Sequence, residues 1–253
     1  MEYRGRGIYY REATRIYLLP APPDTGVVFN SIPASLKNVS LVNHTLGLKK
    51  GMESILGIEH LLAAIYGMEI DNVLIEVEGR ELPFGDGSSY PFVVLLKRAG
   101  RRRQNKVRSP IKIRAPIFIR GRSSLLSLLP SPQLFISFLF SLNSERQLFS
   151  APITRENFER IAKARTFGPY NDPVYLSSLL GIELREKEGF LFPKKERFAK
   201  EPVYHKVLDI LGCLPLLGKP LRGAIFAYRS GHRDILRLLR EVERRYNEGN
   251  RYL

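Results

Sequence analysis

The stretch "VYHKVLDILGC", residues 203–213, combines the pattern of a buried apolar helix with three polar side chains. His205, Asp209 and Cys213 follow one another at intervals of four residues, which places them on one face of a helix. Burying a carboxylate there is costly unless another group pairs with it. The pattern therefore indicates a metal ion, a substrate charge or a hydrogen-bond network at this face.

The length and composition limit the classes of protein to which the chain can belong. A chain of 253 residues with 44% hydrophobic residues can bury one large core or two smaller ones. The longest apolar runs, such as "LFISFLFSL" at 134–142, are too short to span a bilayer. The N-terminal segment has no apolar stretch of signal-peptide length, so a cytoplasmic protein is expected. A single cysteine excludes an internal disulfide and a cysteine-based zinc cluster.

The charge balance favours polyanionic partners. Lysine and arginine number 40 against 25 acidic residues, which gives a formal charge of +15. The run "KRAGRRRQNKVR" at 97–108 is either a solvated linker or a surface that docks on phosphate groups, and an anionic membrane is one such surface. No recognisable nucleic-acid motif accompanies the charge, so nucleic acid is not expected as a partner.

Strands and helices alternate in both halves, which predicts an α+β protein. The segment 57–67 has helical spacing, whereas 72–82 alternates like a half-buried strand. In the second half, two segments are predicted to be strands: "IKIRAPIFIR" at 111–120 and the apolar run at 134–142. Helices are predicted over 154–164, with Thr154 as the N-cap, over 172–181 and over 234–246. The basic run separates these halves, so the predicted domains are 1–105 and 106–253.

The histidines suggest a metal site. A catalytic zinc ion commonly has three protein ligands and one water, and His60, His205 and Asp209 would supply two imidazoles and a carboxylate. Glu59, directly before His60, would then take a proton from the water. The spacing permits this arrangement without requiring it. A helix-entry role for the Glu59–His60 pair and a capping role for His232 remain open.

A longer stretch, "GIEHLLAAIYGMEIDNVLIEVEGRELPFGDGSSYPFVVLL" at 57–96, resembles the UDP-3-O-acyl-N-acetylglucosamine deacetylases, the zinc enzymes of lipid A synthesis. The resemblance continues in the same order over most of the chain. It includes "LLPAPPDTGVVF" at 18–29, "IPAS" at 32–35, "KARTFG" at 163–168 and "HKVLDILGCLPLLGKPLRGAIFAYRSGH" at 205–232.

This resemblance implies a fold, a substrate and a metal. The fold would consist of two similar α+β domains, each a sheet with two helices, with the helices packed between the two sheets. The substrate would be a UDP-linked acyl amino sugar. Zinc would be held by His60, His205 and Asp209, and water would attack the acetamide to release acetate and a free amine.

The resemblance also implies roles for five further residues. Glu59 matches the general base, and Thr166 matches the residue that polarises the amide carbonyl. His232 matches a protonated histidine that acts as an electrostatic partner and proton donor. Lys206 and Phe167 match substrate-contacting positions.

Three segments depart from the family pattern. Cys213 stands where the family has an aspartate that pairs with the histidine matched by His232. The glycine-rich "GLHSG" of the family is "GIYYR" at 7–11, and 181–200 lacks a "GGSxxN" pattern associated with acyl-chain passage. Two alternatives therefore stay open. One is a related zinc amidohydrolase with another N-acetylated substrate, and the other is a non-catalytic basic binding protein with the same fold.

Overall fold

The computed structural model describes residues 1–142 and 145–249. The first part of the chain forms eight strands and two helices. These are β1 (Glu2–Arg6), β2 (Ala13–Pro20), β3 (Val27–Phe29), β4 (Ile32–Pro33), β5 (Val39–Val42), β6 (Thr45–Lys50), β7 (Glu53–Leu56), α1 (Glu59–Gly67), β8 (Val73–Glu78) and α2 (Tyr90–Ala99).

The second part forms eight further strands and four α-helices among the described residues. These are β9 (Ile111–Lys112), β10 (Ile117–Arg120), β11 (Leu125–Leu129), β12 (Leu134–Leu142), β13 (Glu145–Pro152), α3 (Arg155–Ala162), α4 (Pro173–Leu180), β14 (Leu184–Lys187), β15 (Phe190–Pro193), α5 (Glu201–Cys213), β16 (Leu221–Tyr228) and α6 (His232–Asn247). The α+β class predicted from the sequence is confirmed.

Two large sheets organise these elements. A five-stranded sheet has the order β1-β2-β8-β3-β4, and a six-stranded sheet has the order β10-β11-β16-β12-β13 with β9 beside β16. The pairs β3–β8 and β12–β16 are parallel. Strands β5 to β7 form a small antiparallel sheet, and β14 pairs with β15 as a hairpin.

One continuous apolar core joins the two large sheets and the helices. It includes Phe29 and Ile75 of the first sheet, Phe138 of the second, and Leu61 and Val207 of helices α1 and α5. Helix α5 packs against α1 and against β12 and β13, while α6 packs on β10 and β11. Burial of apolar side chains by these helices is the main stabilising contribution to such a core.

Helices α1 and α5 approach each other closely at Gly212. A Cβ atom at this position would overlap the backbone carbonyl oxygen of Glu59, the first residue of α1. Only glycine therefore permits this helix–helix contact without a shift of the backbone. The contact brings the first turn of α1 alongside the polar face of α5.

Thr154 caps α3 as predicted. Its hydroxyl accepts a hydrogen bond from the backbone N–H of Asn157, and the Asn157 side chain accepts one from the backbone N–H of Thr154. The single strand expected over 111–120 is instead two strands, β9 and β10. Pro116 stands directly before β10 and has no N–H for a strand ladder, which explains the interruption.

Residues 100–110 connect α2 to β9 without helix or strand, and the domain division at residue 105 stays a prediction. Among the described residues, none of the helices is both long enough and apolar enough to cross a lipid bilayer.

Candidate metal centre and active site

Three side chains predicted to bind a metal converge in the structure. His60 lies in the first turn of α1, and His205 and Asp209 lie one turn apart on α5. One ligand atom from each lies within 4.8 Å of the others. All three residues are buried. A buried set of two imidazoles and one carboxylate is a donor set that suits zinc.

The hydrogen bonding of His205 favours metal binding. Its Nδ1 lies 3.1 Å from the carbonyl oxygen of Ala164. In the neutral ring, donation from Nδ1 leaves the lone pair on Nε2, which is 3.3 Å from Asp209 Oδ1. That separation is close to the ~3.4 Å expected between two ligands of one tetrahedral zinc ion. Burial, together with the neighbouring His205, lowers the pKa of His60 to about 3, so His60 is also a neutral donor.

Asp209 is held in its charged form. Burial opposes ionisation, but the Lys206 ammonium, with contributions from the neighbouring His205 and His232, outweighs it and lowers the pKa of the carboxyl group. The Lys206 ammonium lies 2.5 Å from Asp209 Oδ2. Lys206, which was predicted to contact substrate, thus forms an ion pair with the Asp209 carboxylate of the candidate centre.

Glu59 stands beside the ligand cluster with an unsatisfied oxygen. Its Oε2 is buried and has no hydrogen-bond partner among the described residues. Burial, with a contribution from Asp209, raises the pKa of Glu59 to about 8. Buried polar atoms are seldom left unpaired, so this oxygen marks a place for a further polar group. A carboxyl group with such a pKa can exchange a proton near neutral pH.

A cavity opens next to Glu59 and His60. It is lined by both of them and by other polar side chains that include Tyr9, Thr45, Thr166 and Tyr170. The backbone N–H of Thr166 donates to the carbonyl of Gly87 at 2.7 Å. The Thr166 hydroxyl lies 3.2 Å from the Tyr170 hydroxyl. The predicted Thr166 therefore faces the same cavity as Glu59.

A buried ion pair fixes the segment before Thr166. Glu201 Oε1 accepts from the backbone N–H and from Nε of Arg165, both at 2.9 Å, and its Oε2 accepts from Nη2 at 2.9 Å. Glu201 lies in the first turn of α5. The same helix therefore carries two candidate ligands and anchors the loop that carries Thr166.

Sequence reasoning missed several residues that line the cavity together with His60, among them Tyr9, Thr45 and Glu81. Tyr9 lies in the divergent segment 7–11, and its hydroxyl contacts that of Thr45. Glu81 clamps this segment by accepting the backbone N–H groups of Ile8, Tyr9 and Tyr10 at 3.1, 3.0 and 2.6 Å. Only the departure of 7–11 from the family pattern pointed to this region.

His232, the first residue of α6, also reaches the centre. Its Nε2 lies 3.8 Å from Asp209 Oδ1, and its Nδ1 lies 3.5 Å from Cys213 Sγ. The predicted proximity of Cys213 and His232 is confirmed. Burial outweighs the attraction of Asp209 and lowers the pKa of His232 to about 4, whereas burial raises the pKa of the Cys213 thiol.

Phe167 packs between an aromatic cluster and the candidate centre. Its ring stacks on Phe192 of β15, with 4.6 Å between centroids and 13° between planes. Its edge approaches His205, with 5.9 Å between ring centroids. The predicted contact of Phe167 with substrate stays a prediction.

Comparison with known proteins identifies relatives over most of the chain. Residues 1–244 match the family model described as UDP-3-O-acyl N-acetylglycosamine deacetylase (LpxC). The UDP-3-O-acyl-N-acetylglucosamine deacetylase of Chlamydia pneumoniae is 34% identical over 92% of this chain and 90% of that protein. The protein of the same name from Solibacter usitatus is 35% identical over 92% of this chain and 85% of that protein. The one from Nitratidesulfovibrio vulgaris is 36% identical over 96% of this chain and 86% of that protein. The chain thus belongs to the UDP-3-O-acyl-N-acetylglucosamine deacetylase family.

Proposed function

We propose that this protein hydrolyses the acetamide of UDP-3-O-acyl-N-acetylglucosamine, with zinc as cofactor, and releases acetate and the free amine. The observation that carries the proposal is the convergence of His60, His205 and Asp209 beside a cavity that Glu59 also lines. Membership of the family supports the substrate class. The reaction belongs to lipid A biosynthesis, and a cytoplasmic location stays a prediction.

His60, His205 and Asp209 would hold the zinc ion. When bound, zinc supplies a Lewis acid that polarises the amide carbonyl and makes a water molecule more acidic. The residues fit this role because both imidazoles are held neutral and the carboxylate is held charged. Lys206 stabilises Asp209 from the side that does not face His205.

Glu59 would act as the general base. In the ionised form of the side chain, its buried and unpaired Oε2 can accept a proton from the attacking water. The raised pKa lets the carboxyl group retain that proton during the attack and pass it on as the amine departs.

Thr166 and His232 would stabilise charge that develops during the reaction. The Thr166 hydroxyl faces the cavity and can donate to the oxygen of the reacting carbonyl. A protonated Cys213 thiol can donate to His232 Nδ1, which places the imidazole proton on Nε2 near Asp209. From there the neutral ring of His232 can donate a hydrogen bond to the leaving nitrogen, and the protonated ring can transfer its proton to that nitrogen.

A related zinc amidohydrolase acting on another N-acetylated substrate is the second candidate. Two observations favour it. Segment 7–11, which lines the cavity, departs from the family pattern. Residues 184–193 form a short hairpin whose Phe192 stacks on Phe167, where the family pattern of 181–200 is lost. Both changes alter the surroundings of the substrate and leave the candidate ligands in place.

The decisive experiment is a turnover assay of the zinc-loaded protein on UDP-3-O-acyl-N-acetylglucosamine, with release of the free amine as the readout. The same assay on UDP-N-acetylglucosamine, which lacks the 3-O-acyl chain, separates the two candidates. Turnover that requires the acyl chain supports the first proposal. Equal turnover of both compounds supports the second candidate, and no turnover of either compound contradicts the first.

A further inference from the structure

The six-stranded sheet has an unusual outer face, on the side turned away from α5 and α6. Large apolar side chains stand exposed there. The exposed fractions are 67% for Phe118, 49% for Leu125, 52% for Leu148, 40% for Phe226 and 37% for Tyr228. Single exposed apolar residues are ordinary, but a contiguous group marks an interaction site.

The strand register shows that these residues are contiguous. One row across the sheet pairs Phe118, Ser127, Phe226, Ser137 and Ser150. Two residues further along each strand, a second row pairs Arg120, Leu125, Tyr228, Leu139 and Leu148. Because side chains alternate between faces along a strand, both rows point outwards. Phe135 adds to the group, with its ring centroid 6.1 Å from that of Phe226.

Cations surround this apolar group, and the outer face carries no carboxylate among its described strand residues. Lys112 and Arg222 are paired neighbours on β9 and β16, while Arg120 and Arg146 lie on β10 and β13. All four are exposed or half-buried. None of the four has an ion-pair partner within residues 1–142 and 145–249.

The five-stranded sheet of the same molecule provides a contrast. Its outer face carries both signs of charge, and these charges pair with one another. Arg15 lies 3.2 Å from Glu2 and 3.3 Å from Glu78, and Arg4 also pairs with Glu2. That face has the composition of a solvated sheet surface. The apolar and purely cationic outer face of the second sheet is therefore a local property and does not follow from the net charge alone.

We propose that the outer face of the six-stranded sheet docks on an anionic lipid surface. Apolar and aromatic side chains can insert at the level of the headgroups, and the surrounding cations are attracted to the anionic lipids. A second copy of the chain is a poor occupant, because a self-complementary contact would bring Arg120 and Arg222 against like charges. The apolar centre is equally unsuited to the phosphate backbone of nucleic acid.

The basic run at 97–108 is less suited to this role. Lys97 pairs with Glu159, Arg101 with Glu69, Lys106 with Asp24, and Arg108 with Asp71. Four of its cations are thus already partly neutralised within the protein. The outer face also lies across the sheet from α5, so docking would leave the candidate active site uncovered.

The test is cosedimentation of the full chain with vesicles of phosphatidylglycerol and phosphatidylethanolamine, compared with vesicles of phosphatidylcholine alone. Binding is expected only to the anionic vesicles and should weaken as salt is raised. Two double variants test the two parts of the face: Phe118→Ser/Phe226→Ser and Arg120→Glu/Arg222→Glu. Each should lower the affinity for the anionic vesicles by roughly tenfold or more. The matched control Arg4→Glu/Arg6→Glu makes the same change of charge on the other sheet and should bind like the parent.

Several results would overturn the proposal. These are no binding of the parent to anionic vesicles at low salt, parent-like binding of both outer-face variants, or an equal loss in the control. A dimer of the parent that Phe118→Ser/Phe226→Ser dissociates would instead assign the face to a second copy. The far-UV spectrum and melting temperature of each variant establish that it is folded. Because vesicle binding is measured without turnover, its outcome is independent of the proposed catalytic activity.

Discussion

The thiol of Cys213 lies against the imidazole of His232, with 3.5 Å between Sγ and Nδ1. Cys213 is buried and the His232 side chain is only 10% exposed beside Asp209. Desolvation leaves the imidazole neutral at neutral pH, with its pKa lowered to about 4. A thiol adds no negative charge to oppose this effect. The pair therefore differs in electrostatics from the aspartate–histidine pair of the family pattern, while the side chains still meet.

Cys213→Asp tests this pairing. A carboxylate beside the ring favours imidazolium and raises the pKa of His232. If His232 acts as the proton donor, the alkaline limb of the pH–rate profile of the zinc-loaded protein should move to higher pH. Cys213→Ser, which adds no charge, should leave that limb in place. A destabilised Cys213→Asp variant with an unshifted limb would contradict a catalytic role for the pair.

Removal of one proposed ligand should abolish metal binding. His205→Ala takes away one of three donors and leaves Asp209 without its neighbour, so both zinc content and turnover should be lost. Elemental analysis of the purified variant measures the zinc content directly. The control is His44→Ala, since His44 is exposed on a turn and is not one of the three clustered ligand candidates. Full zinc occupancy in His205→Ala would remove His205 from the proposed ligand set.

Glu59→Gln should separate metal binding from turnover. The amide keeps the size of the side chain but cannot accept a proton, so we expect full zinc content and a loss of kcat of about 10²–10⁴-fold. Glu69→Gln, at an exposed position two residues beyond the C-terminal end of α1, serves as the control. A rate close to that of the parent across the pH range would exclude Glu59 as the base.

Gly212→Ala should disturb the centre without changing any polar group. The added methyl group overlaps the carbonyl oxygen of Glu59, so α1 and α5 must separate. Overpacking of this kind costs about 1–3 kcal/mol, and it moves His60 away from His205 and Asp209. Urea unfolding and zinc titration should therefore both show a loss. Parent-like stability with unchanged zinc affinity would mean that the helices do not approach as described.

Glu201→Gln should destabilise the fold in a pH-dependent way. The buried Arg165 guanidinium would lose its charged partner, which costs about 3–5 kcal/mol at neutral pH. Although burial opposes ionisation, hydrogen bonds from Arg165 and Arg197 lower the pKa of Glu201 below its usual value of 4.5. Its contribution is thus fully present above pH 4.5 and is lost as the pH falls through the lowered pKa.

The measurement is urea unfolding of parent and Glu201→Gln at neutral pH and in acid. The difference in unfolding free energy should shrink as the pH falls below 4.5. The exposed ion pair Glu183–Lys194 offers a matched control, because Glu183→Gln removes a carboxylate whose partner stays solvated. A difference that is constant with pH would contradict the ionic role of Glu201.

The sequence by itself determined the α+β class, most of the helices, a minority of the strands, and most of the polar residues of the candidate site. These features depend on local information: period-two and helical apolar patterns, caps such as Thr154, and glycine and proline at element ends. The four-residue spacing of His205, Asp209 and Cys213 depends only on the helix that carries them. Pro116 was a signal in the sequence for an interrupted strand. The alternation of apolar and basic residues over 111–120 nevertheless led to the prediction of a single strand.

Tertiary structure decided which distant residues meet. His60 and His205 are 145 positions apart in the chain, and their contact exists because Gly212 lets α1 and α5 pack closely. Glu81 clamps residues 8–10 across more than 70 positions, and no local pattern marks such a pairing. The pKa of Glu59 depends on burial by elements that only the folded chain assembles. Local patterns fix how each segment folds, whereas desolvation and contacts between segments arise only once the core has formed.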